Sequence, residues 1–459
     1  MQTRQHKSNV VRLAVAQALS MTSMNVNIIN TALVGYLLAP VPWLATLPLS
    51  LQFVSVMMIT LPASLLMARV GRRPVFIAGV VISSLSSLSL GLAIIFQNFQ
   101  MFCAAAMGLG MAMGIAAYYR YAAADGLEER DRPKAISYVL VGGLAAALIG
   151  PEIARNTVDL LPGSLYAGCF FTVAVVQLVS LVALAGVKIE KPPRATRDDG
   201  RPIGAFFRMP VYVVGVMCAA IGYALMSYLM TATPLQVVNV VKLGHSANAT
   251  IIQWHVVAMF LPSFFTGNLI SRFGVSRVLW AGALFYGATI YLSLTADGFW
   301  LYWGALVTLG LGWNFLYVGG SSLIAQVAKP SERGRVQGIG DLLTTTTVAI
   351  ASLTAGAVHS QYGWQMMSQL AILPVSIVVC WDYYGLASCA VAMRHCPSRC
   401  NTRYPPVTFI CRLTAGSLLS RSIMKSCPFG LRVMASRMAA SRPSGPPSRR
   451  ARRRSALSS

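Results

Sequence analysis

Two short stretches, residues 68–75 (ARVGRRPV) and residues 271–278 (SRFGVSRV), decide the fold, because each is a basic turn between two long apolar runs. Arg69 and Arg272 are 203 positions apart, and each is followed two residues later by a glycine. A loop this short must reverse the chain at once, which favours glycine. Recurrence of the turn at this spacing indicates two copies of one unit.

The composition is typical of a membrane protein. Of the 459 residues, 56% are hydrophobic and 11% are charged, whereas soluble globular chains carry about 25% charged residues. Apolar runs of about 20 residues follow one another, and each is long enough to cross a bilayer as a helix. The strands of membrane barrels instead alternate over about 10 residues. We therefore expect an all-α polytopic membrane protein.

The apolar runs predict twelve transmembrane helices, arranged as two six-helix repeats. We expect an N-terminal bundle over residues 1–186, a cytoplasmic linker over 187–209, a C-terminal bundle over 210–381 and a tail over 382–459. The predicted spans cover residues 13–37, 44–68, 74–96, 101–124, 135–155, 165–186, 210–232, 248–271, 278–296, 299–327, 336–358 and 364–381.

Basic residues mark one side of the membrane. They are concentrated in every second connector, for example around Arg72, Arg132 and Lys188, and are nearly absent from the others. By the positive-inside rule that side is cytoplasmic. We therefore expect both termini on the cytoplasmic side of the plasma membrane, which is the inner membrane of a bacterium. The first span follows only a few polar residues, which predicts an uncleaved anchor. Because the loops explain the excess of basic residues up to residue 380, nucleic acid is not an expected partner.

Residues 381–459 differ abruptly from the rest, with 14 basic residues, one acidic residue and five cysteines. We interpret this tail as out-of-frame translation after the twelfth span, because arginine, serine, cysteine and proline replace the preceding composition within a few residues. One alternative is a disordered basic segment that contacts anionic lipid headgroups. Another is a metal site at Cys389, Cys396 and Cys400 with His395, although the tail has no CxxC pair.

A second pair of connectors repeats at the same offset of 203. Both pairs join the same ordinal helices within each half, so spans 1–6 and 7–12 are expected to be parallel copies. This plan is known among transporters, whose solute site lies between the halves near the membrane midplane. The corresponding residues are Glu129, Arg130 and Arg132 in one loop and Glu332, Arg333 and Arg335 in the other.

Between spans 2 and 3 the chain resembles the major facilitator superfamily, whose signature there reads approximately G-x-L-x-D-R-x-G-R-R. Residues 64–73 read SLLMARVGRR, and residues 267–277 read GNLISRFGVSR. Ser64 replaces the first glycine, and Ala68 and Ser271 replace the aspartate. The matching positions are Leu66, Arg69, Gly71, Arg72 and Arg73 in the first copy and Gly267, Leu269, Arg272 and Gly274 in the second.

The resemblance implies that these residues act in gating. In the family the arginines and the aspartate hold the cytoplasmic helix ends together in one conformation and release them in the other. Small residues such as Gly267 let neighbouring helices approach closely. Both copies here lack the aspartate, so we expect Asp125 at the end of span 4 and Asp341 at the start of span 11 to replace it. The alternative is that the arginines only anchor the topology.

Span 5 contains GGLAAALIGPEIAR, residues 142–155. This stretch resembles the Gly-Pro motif of the family's proton-coupled antiporters. Its glycines predict a close-packed helix face, and Pro151 predicts a bend. The motif is truncated at Glu152 and Ala154, so it favours antiport without deciding it.

Ionisable residues inside the spans are candidates for solute or proton binding, because a charge in hydrocarbon is costly unless it faces a cavity or a partner. Arg120, beside three tyrosines, either pairs with Asp125 or binds an anionic or aromatic solute. Glu152 either carries a coupled proton or pairs with Arg155. His255 either exchanges protons or is a hydrogen-bonded packing residue.

Uncharged polar groups near mid-membrane are further candidates. In the family, helices 1, 4, 7 and 10 line the central cavity, and aromatic and amide groups there suit a flat, partly polar organic molecule. Interhelical hydrogen bonding by the asparagines is the alternative. The candidates are Asn25, Asn27 and Asn30 in span 1, Gln52 in span 2, Tyr223 and Tyr228 in span 7, Gln253 in span 8, and Trp313, Asn314 and Tyr317 in span 10.

Together these observations predict a secondary active transporter, a monomer in the lipid bilayer, that moves a small organic solute by alternating access with protons as the coupling ion. The Gly-Pro motif narrowly favours proton-coupled efflux of drug-like compounds or metabolites, and the alternative is proton-coupled uptake of an aromatic nutrient or vitamin such as riboflavin. A third interpretation is a receptor, a scaffold or a damaged gene product that does not transport. The spans contain no P-loop, HExxH or GxSxG motif, so we expect no enzyme, no ATP-driven pump, no cofactor and no metal.

Overall fold

The computed structural model describes residues 2–123, 132–187, 201–328 and 332–380, and these segments fold into long helices. The first half contributes Gln2–Leu38 (span 1), Leu47–Val70 (span 2), Arg72–Ile95 (span 3), Phe99–Ala116 with Tyr119–Ala123 (span 4), Arg132–Thr157 (span 5) and Ala167–Ala185 (span 6). The second half contributes Pro210–Pro234 with the π-helical turn Leu235–Val240 (span 7), His245–Phe260 with Ser263–Phe273 (span 8), Val275–Leu294 (span 9) and Phe299–Val327 (span 10). Spans 11 and 12 form the helix Arg333–Leu370, which is interrupted at Gly363 and continues to residue 380. Two short helices, Pro42–Leu44 and Ile203–Phe207, lie in the connectors.

The expected architecture of twelve spans in two six-helix repeats is confirmed. Within the described residues, eight helices are long and apolar enough to cross a membrane, and the bent pair of span 8 is a ninth. One of the eight, Val336–Cys380, contains both span 11 and span 12. Spans 1 and 5 are less apolar because they carry asparagines or charged residues, yet they are long helices that pack inside the same bundle.

Two spans are broken where the sequence predicts continuous helices. Span 8 bends by 42° between Phe260 and Ser263, where Pro262 removes a backbone hydrogen bond and crowds the preceding turn. Span 4 is interrupted between Ala116 and Tyr119. Both breaks lie beside the cavity described below, since Phe260 and Ala116 line it.

The two repeated turns have backbone geometry that requires glycine. Gly71 has φ 98° and Gly274 has φ 86°, values that residues with a side chain rarely adopt. Each glycine ends one span and begins the next with no intervening loop. The repeated turn therefore joins span 2 directly to span 3, and span 8 directly to span 9.

The packing of the helices also repeats between the halves. Span 1 packs on span 5 as span 7 packs on span 11, span 2 packs on span 4 as span 8 packs on span 10, and span 3 packs on span 4 as span 9 packs on span 10. The halves meet where span 2 contacts span 11 and where span 5 contacts span 8. Span 2 corresponds to span 8 and span 5 corresponds to span 11, so each of these two contacts is the counterpart of the other, as expected of parallel duplicated halves.

Gly142 and Gly150 of span 5 lie against span 1, as the sequence predicts for a close-packed face. A Cβ atom on Gly142 would come 2.7 Å from the carbonyl oxygen of Ala14, and one on Gly150 would come 2.7 Å from Cβ of Asn25. The Asn25 amide nitrogen donates a hydrogen bond to the carbonyl oxygen of Ala146 at 3.0 Å. The absence of side chains at both glycines thus brings the two helices into close contact.

The two ends of the bundle differ in charge. The end with the turns at Gly71 and Gly274, which are rich in arginine, is termed the basic end. The end with Tyr166 and His245, where spans 6 and 8 begin, is termed the opposite end.

A buried ion pair fastens the last residues of the linker to the second half at the basic end. Arg201 donates from Nε and Nη2 to the carboxylate of Glu332 at 3.0 and 2.6 Å, and its backbone N–H donates to the same carboxylate at 3.0 Å. Glu332 is fully buried, and the Arg201 guanidinium lies 4.7 Å from the ring centre of Phe206. A buried carboxylate requires a partner of this kind, so Glu332, one of the repeated loop residues, has a structural role.

Candidate functional site

A cavity lies between the two halves, bounded by spans 1, 2, 4, 7, 8, 10 and 11. Most of the lining residues are near the middle of their helices, so the cavity lies at mid-depth of the bundle. Its volume is about 180 Å³, similar to an engineered cavity of about 150 Å³ that binds benzene. This conformation therefore has room for one aromatic ring, and a larger solute requires the halves to move apart.

One wall of the cavity is an aromatic cluster. Trp313 of span 10 stacks on Tyr317, one helical turn further along, with ring centres 5.0 Å apart and planes 9° apart. Tyr223 of span 7 meets both rings edge-on, at 5.5 and 5.6 Å. Phe260 of span 8 meets Trp313 at 6.1 Å. Trp313, Tyr223 and Phe260 line the cavity, and Tyr317 supports Trp313 from behind.

Six methionines line the same cavity. A methionine side chain is flexible and polarizable, so it adapts to solutes of different outline and makes favourable contacts with aromatic rings. The methionines come from both halves, so the adaptable surface surrounds the space in front of the aromatic wall. They are Met21 and Met24 in span 1, Met113 in span 4, Met226 and Met230 in span 7, and Met259 in span 8.

Two buried polar atoms of residues in the cavity wall are unpaired within the described residues. Nε1 of Trp313 and Oγ of Ser227 have no hydrogen-bond partner within the described residues, although both side chains are more than nine-tenths buried. Two other lining groups are already bonded, since the Asn25 amide nitrogen donates to span 5 and the Thr231 hydroxyl lies 3.2 Å from Ser352 Oγ of span 11. The two unpaired atoms are therefore candidates for hydrogen bonds with a solute, as are the hydroxyl groups of Ser20 and Tyr223, which also line the cavity.

No charged residue or histidine is found among the residues that line the cavity, all of which belong to the described segments. A charged solute placed there would be buried without an opposite charge, which costs several kcal/mol or more. The cavity therefore suits an uncharged solute.

Asn314, a candidate from the sequence, holds the break in span 8 and does not line the cavity. Its Nδ2 donates to the carbonyl oxygen of Met259 at 2.7 Å and to Ser263 Oγ at 2.6 Å, and its Oδ1 accepts from Thr266 Oγ1 at 2.7 Å. These three residues flank the break, so Asn314 ties both segments of span 8 to span 10. In this conformation Asn314 therefore forms interhelical hydrogen bonds, which was the alternative to solute binding.

Asn30 and His255 also lie outside the cavity lining. Nδ2 of Asn30 donates to the carbonyl oxygen of Val26 in its own helix at 2.9 Å. His255 is fully buried, and its Nδ1–H donates to the carbonyl oxygen of Leu306 in span 10 at 2.7 Å, whereas Nε2 has no partner in the described part of the chain. In this conformation both side chains contribute to packing.

Glu152 forms an ion pair with Arg155 near the opposite end, with a shortest N···O distance of 2.7 Å. The Glu152 side chain is 49% exposed, so it is not enclosed in the bundle. Arg155 also donates to Oγ1 of Thr250 in span 8 at 2.9 Å, which joins the two halves. Glu152 was expected either to carry a coupled proton or to pair with Arg155, and in this conformation it pairs with Arg155.

Arg120 lies three residues beyond the last cavity-lining position of span 4, towards the basic end. Its guanidinium group donates to the Tyr121 hydroxyl at 3.0 Å and lies 4.7 Å from the centre of that ring. It also interacts electrostatically with Asp341 and Tyr317, which belong to the second half. Arg120 is therefore attracted electrostatically to the second half at the basic end. Asp125, expected to act as its partner, lies outside the described residues.

The arginines of the repeated turns have separate surroundings. Arg73 donates to the carbonyl oxygen of Ala185 at the end of span 6 at 2.7 Å, a position where a helix favours positive charge. Arg69 is exposed, and the guanidinium of Arg272 lies 5.4 Å from the ring centre of the neighbouring Phe273.

Two further motif positions can be placed. Arg72 is half-buried and interacts with Tyr118 of span 4. Gly267 is exposed, and no atom lies within 4 Å of the place where its Cβ would be. The expected close helix approach at Gly267 is therefore wrong for this conformation, because the glycine lies on an open face of the short segment after the break in span 8.

At the opposite end the two halves are in direct contact. The Tyr166 hydroxyl and Nδ1 of His245 share a hydrogen bond of 2.9 Å, and their rings meet edge to face with centres 5.3 Å apart. The Tyr166 side chain is 2% exposed, so this contact is enclosed. Together with the bond between Arg155 and Thr250 it closes the opposite end between spans 5, 6 and 8.

Of the residues that line the cavity, the sequence predicted Asn25, Tyr223 and Trp313 but not Ser227 or the methionines. The missed residues carry no charge and sit in apolar runs, where a methionine or a serine looks like an ordinary packing residue. The available signal was spacing: Tyr223 and Ser227, like Met226 and Met230, are four residues apart and so share a helix face.

Comparison with known proteins agrees with this architecture. The sequence profile described as Major Facilitator Superfamily matches residues 13–252 and 237–387. The riboflavin transporter RfnT of Brucella anthropi is 36% identical over 378 residues, which is 81% of this chain and 94% of that protein. The uncharacterized MFS-type transporter YddS of Bacillus subtilis is 27% identical over 68% of this chain and 76% of its own length.

Two solved structures share the fold. One is a bacterial homolog of the human lysosomal transporter Spinster in an inward-facing and occupied conformation, with a TM-score of 0.65, 14% identity, and 82% of this chain and 96% of that chain covered. The other is the nucleoside transporter NupG, with a TM-score of 0.59, 13% identity, and 83% and 99% covered. Profile, relatives and fold agree: the chain belongs to the Major Facilitator Superfamily and is a multi-pass integral membrane transporter of a small solute.

Proposed function

We propose that the protein is a secondary transporter of a flat, uncharged aromatic solute, with riboflavin as the first candidate. The observation that carries this proposal is the lining of the cavity: aromatic rings and methionines surround it, two buried polar atoms have no partner within the described residues, and no charged side chain is found among the lining residues. Riboflavin fits this chemistry because its ring system is flat and uncharged, has an apolar dimethyl edge, and carries carbonyl oxygens at the other edge. The 36% identical riboflavin transporter supports the same solute.

For the transport cycle we propose alternating access with the basic end on the cytoplasmic side, as the positive-inside rule predicts. The contact of Tyr166 with His245 then closes the outer end in this conformation. Arg120 and Asp341, which attract each other across the two halves, are then expected to move apart when the cytoplasmic end opens. The larger volume that a complete flavin needs is supplied by that opening.

For direction and coupling we propose uptake driven by protons, because riboflavin is a vitamin that a cell gains by importing. The cavity lining contains no titratable carboxylate or histidine, so the coupled proton binds elsewhere. Efflux is the second candidate. It is favoured by the Gly-Pro stretch of span 5, whose Gly142 and Gly150 pack tightly on span 1.

The proposal is tested in a riboflavin-auxotrophic bacterium that lacks its own riboflavin transporter. Expression of the chain is expected to restore growth on low riboflavin, and a proton uncoupler is expected to abolish the uptake of labelled riboflavin. Trp313→Ala should lose uptake, whereas Trp303→Ala should keep it, because Trp303 belongs to a separate aromatic group with Trp254 and Trp300.

Other outcomes separate the parts of the proposal. Uncoupler-sensitive loss of riboflavin from loaded cells would support efflux and contradict uptake, while the solute assignment stands. Unchanged riboflavin content in cells that carry the protein in their membrane would contradict the solute assignment.

For the tail we propose that residues 388–459, which follow the last residue of the family match, do not take part in transport. A chain that ends at residue 387 is expected to restore growth as well as the full chain does. Loss of uptake from the shorter chain at equal membrane content would contradict this.

A further inference from the structure

Nε1 of Trp313 and Oγ of Ser227 are two of thirteen buried side-chain atoms that have no hydrogen-bond partner within the described residues, and they are the two that belong to residues lining the cavity. Buried polar side-chain atoms are hydrogen-bonded in the large majority of cases, so each exception calls for an explanation. The Trp313 side chain is 7% exposed and that of Ser227 is 2% exposed, and neither Nε1 nor Oγ has a partner within the described residues. Neither atom is accessible to water in this conformation, so a solute that supplies the missing partner reaches them when the cavity enlarges.

The chemistry of the two atoms restricts the partner. An indole N–H donates a hydrogen bond and cannot accept one, whereas a serine hydroxyl does both. The group in front of Trp313 must therefore be an acceptor, such as a carbonyl oxygen or an unprotonated ring nitrogen. A hydrocarbon ring of the same outline leaves the indole N–H unpaired.

The direction of the Trp313 N–H is fixed before any solute binds. Tyr317 stacks on one face of the indole, and Tyr223 and Phe260 meet it at their edges. The next residue, Asn314, is tied to both segments of span 8 by three hydrogen bonds. A donor held in this way costs little conformational entropy when it binds a solute.

Ser227 is placed to act together with Trp313. It lies on the same face of span 7 as Tyr223, one helical turn away, and Tyr223 is 5.5 Å from Trp313 between ring centres. Both Ser227 and Trp313 line the cavity, and both belong to the second half. The polar edge of a solute thus faces spans 7 and 10, and the methionines of spans 1 and 4 face the solute from the first half.

We propose that Trp313 and Ser227 determine the substrate class: flat, uncharged heteroaromatic compounds that present a hydrogen-bond acceptor at one ring edge. The inference rests on the proposed transport function and goes further, because it assigns the recognition of the solute's acceptor edge to two named atoms. Flavins, alloxazines and neutral pterins belong to this class, and aromatic hydrocarbons do not.

The test measures the binding of riboflavin, lumichrome and a neutral pterin to the purified full-length chain by fluorescence titration. Trp313→Phe keeps an aromatic ring and removes the N–H, and Ser227→Ala removes only the hydroxyl. Each substitution is expected to weaken the binding of riboflavin about three- to tenfold, which corresponds to the loss of one hydrogen bond. Two matched controls, Ser87→Ala and Trp303→Phe, should bind riboflavin like the unmodified chain. Ser87 is a buried serine whose Oγ is also unpaired in the described residues, and it lies outside the cavity lining.

An analogue series identifies the acceptor. Replacing one flavin carbonyl oxygen by sulfur weakens it as an acceptor, so one of the two thio-flavins should bind the unmodified chain less tightly than riboflavin. The Trp313→Phe chain should bind that analogue and riboflavin equally.

The outcomes distinguish this inference from the proposed function. Riboflavin binding that is unchanged in both Trp313→Phe and Ser227→Ala overturns the inference and leaves riboflavin as the solute. Weakening in the control variants to the same degree also overturns it. If riboflavin does not bind but another acceptor-bearing aromatic binds and depends on Trp313, the inference stands and the riboflavin assignment fails. If none of the panel binds, both fail.

Discussion

Replacing Asn314 by leucine tests whether this side chain serves the structure or the solute. Leucine has a similar volume, so the substitution removes polar atoms without leaving a large cavity. Three hydrogen bonds disappear, to Met259, Ser263 and Thr266 across the break in span 8. Interhelical hydrogen bonds in membrane proteins contribute about 0.6 kcal/mol on average and up to about 1.7 kcal/mol. We therefore expect the free energy of unfolding to fall by roughly 2–5 kcal/mol.

The assay is reversible unfolding of the purified protein by a denaturing detergent, followed by the fluorescence of its tryptophans. The matched control is Asn30→Leu. Asn30 is equally buried, but its one hydrogen bond is to Val26 in its own helix, so its loss should cost less than about 1.5 kcal/mol. Equal losses for the two variants would refute the reasoning. So would an Asn314→Leu chain that keeps full stability but no longer transports, because that result would place the side chain on the solute.

Three further predictions follow from single contacts. Glu332→Gln should lower the free energy of unfolding by several kcal/mol, because Arg201 loses the charge that compensates it. The linker ahead of span 7 should also become more sensitive to protease. Unchanged cleavage would contradict a role of this ion pair in holding the linker. Gly142→Leu should separate spans 1 and 5 and reduce the amount of folded protein in the membrane, and Gly142→Ala should have a smaller effect. Equal yields of both variants and the unmodified chain would contradict close packing of the two helices. Tyr166→Phe removes the hydrogen bond to His245. A thiol reagent added from outside should then label cysteines that have been introduced beside the cavity at a higher rate. The same rate as in the chain with Tyr166 would contradict a closing role for this contact.

The fold could be predicted from the sequence because it depends on features that are visible along the chain itself. The length of the apolar runs gave the spans, and the 203-residue offset between Arg69 and Arg272 gave the duplication. The breaks in spans 4 and 8 were not predicted, because Pro262 stands in an otherwise continuous apolar run and many membrane helices contain a proline without breaking.

The candidate site was only partly accessible. Trp313 was selected as an aromatic group and its neighbour Asn314 as an amide group near mid-membrane. The two side chains nevertheless point to different places, one to the cavity and one to the break in span 8. Adjacent residues on a helix are about 100° apart, so their partners depend on the packing of other helices, which the sequence of one span does not contain.

The most direct test of the account is the transport of riboflavin by the purified full-length chain in liposomes. With a pH gradient that is alkaline inside, we expect labelled riboflavin to accumulate over time above the level in empty liposomes, and collapse of the gradient to release it. Riboflavin entry that is the same with and without the protein, in liposomes that contain folded chain, would contradict the account.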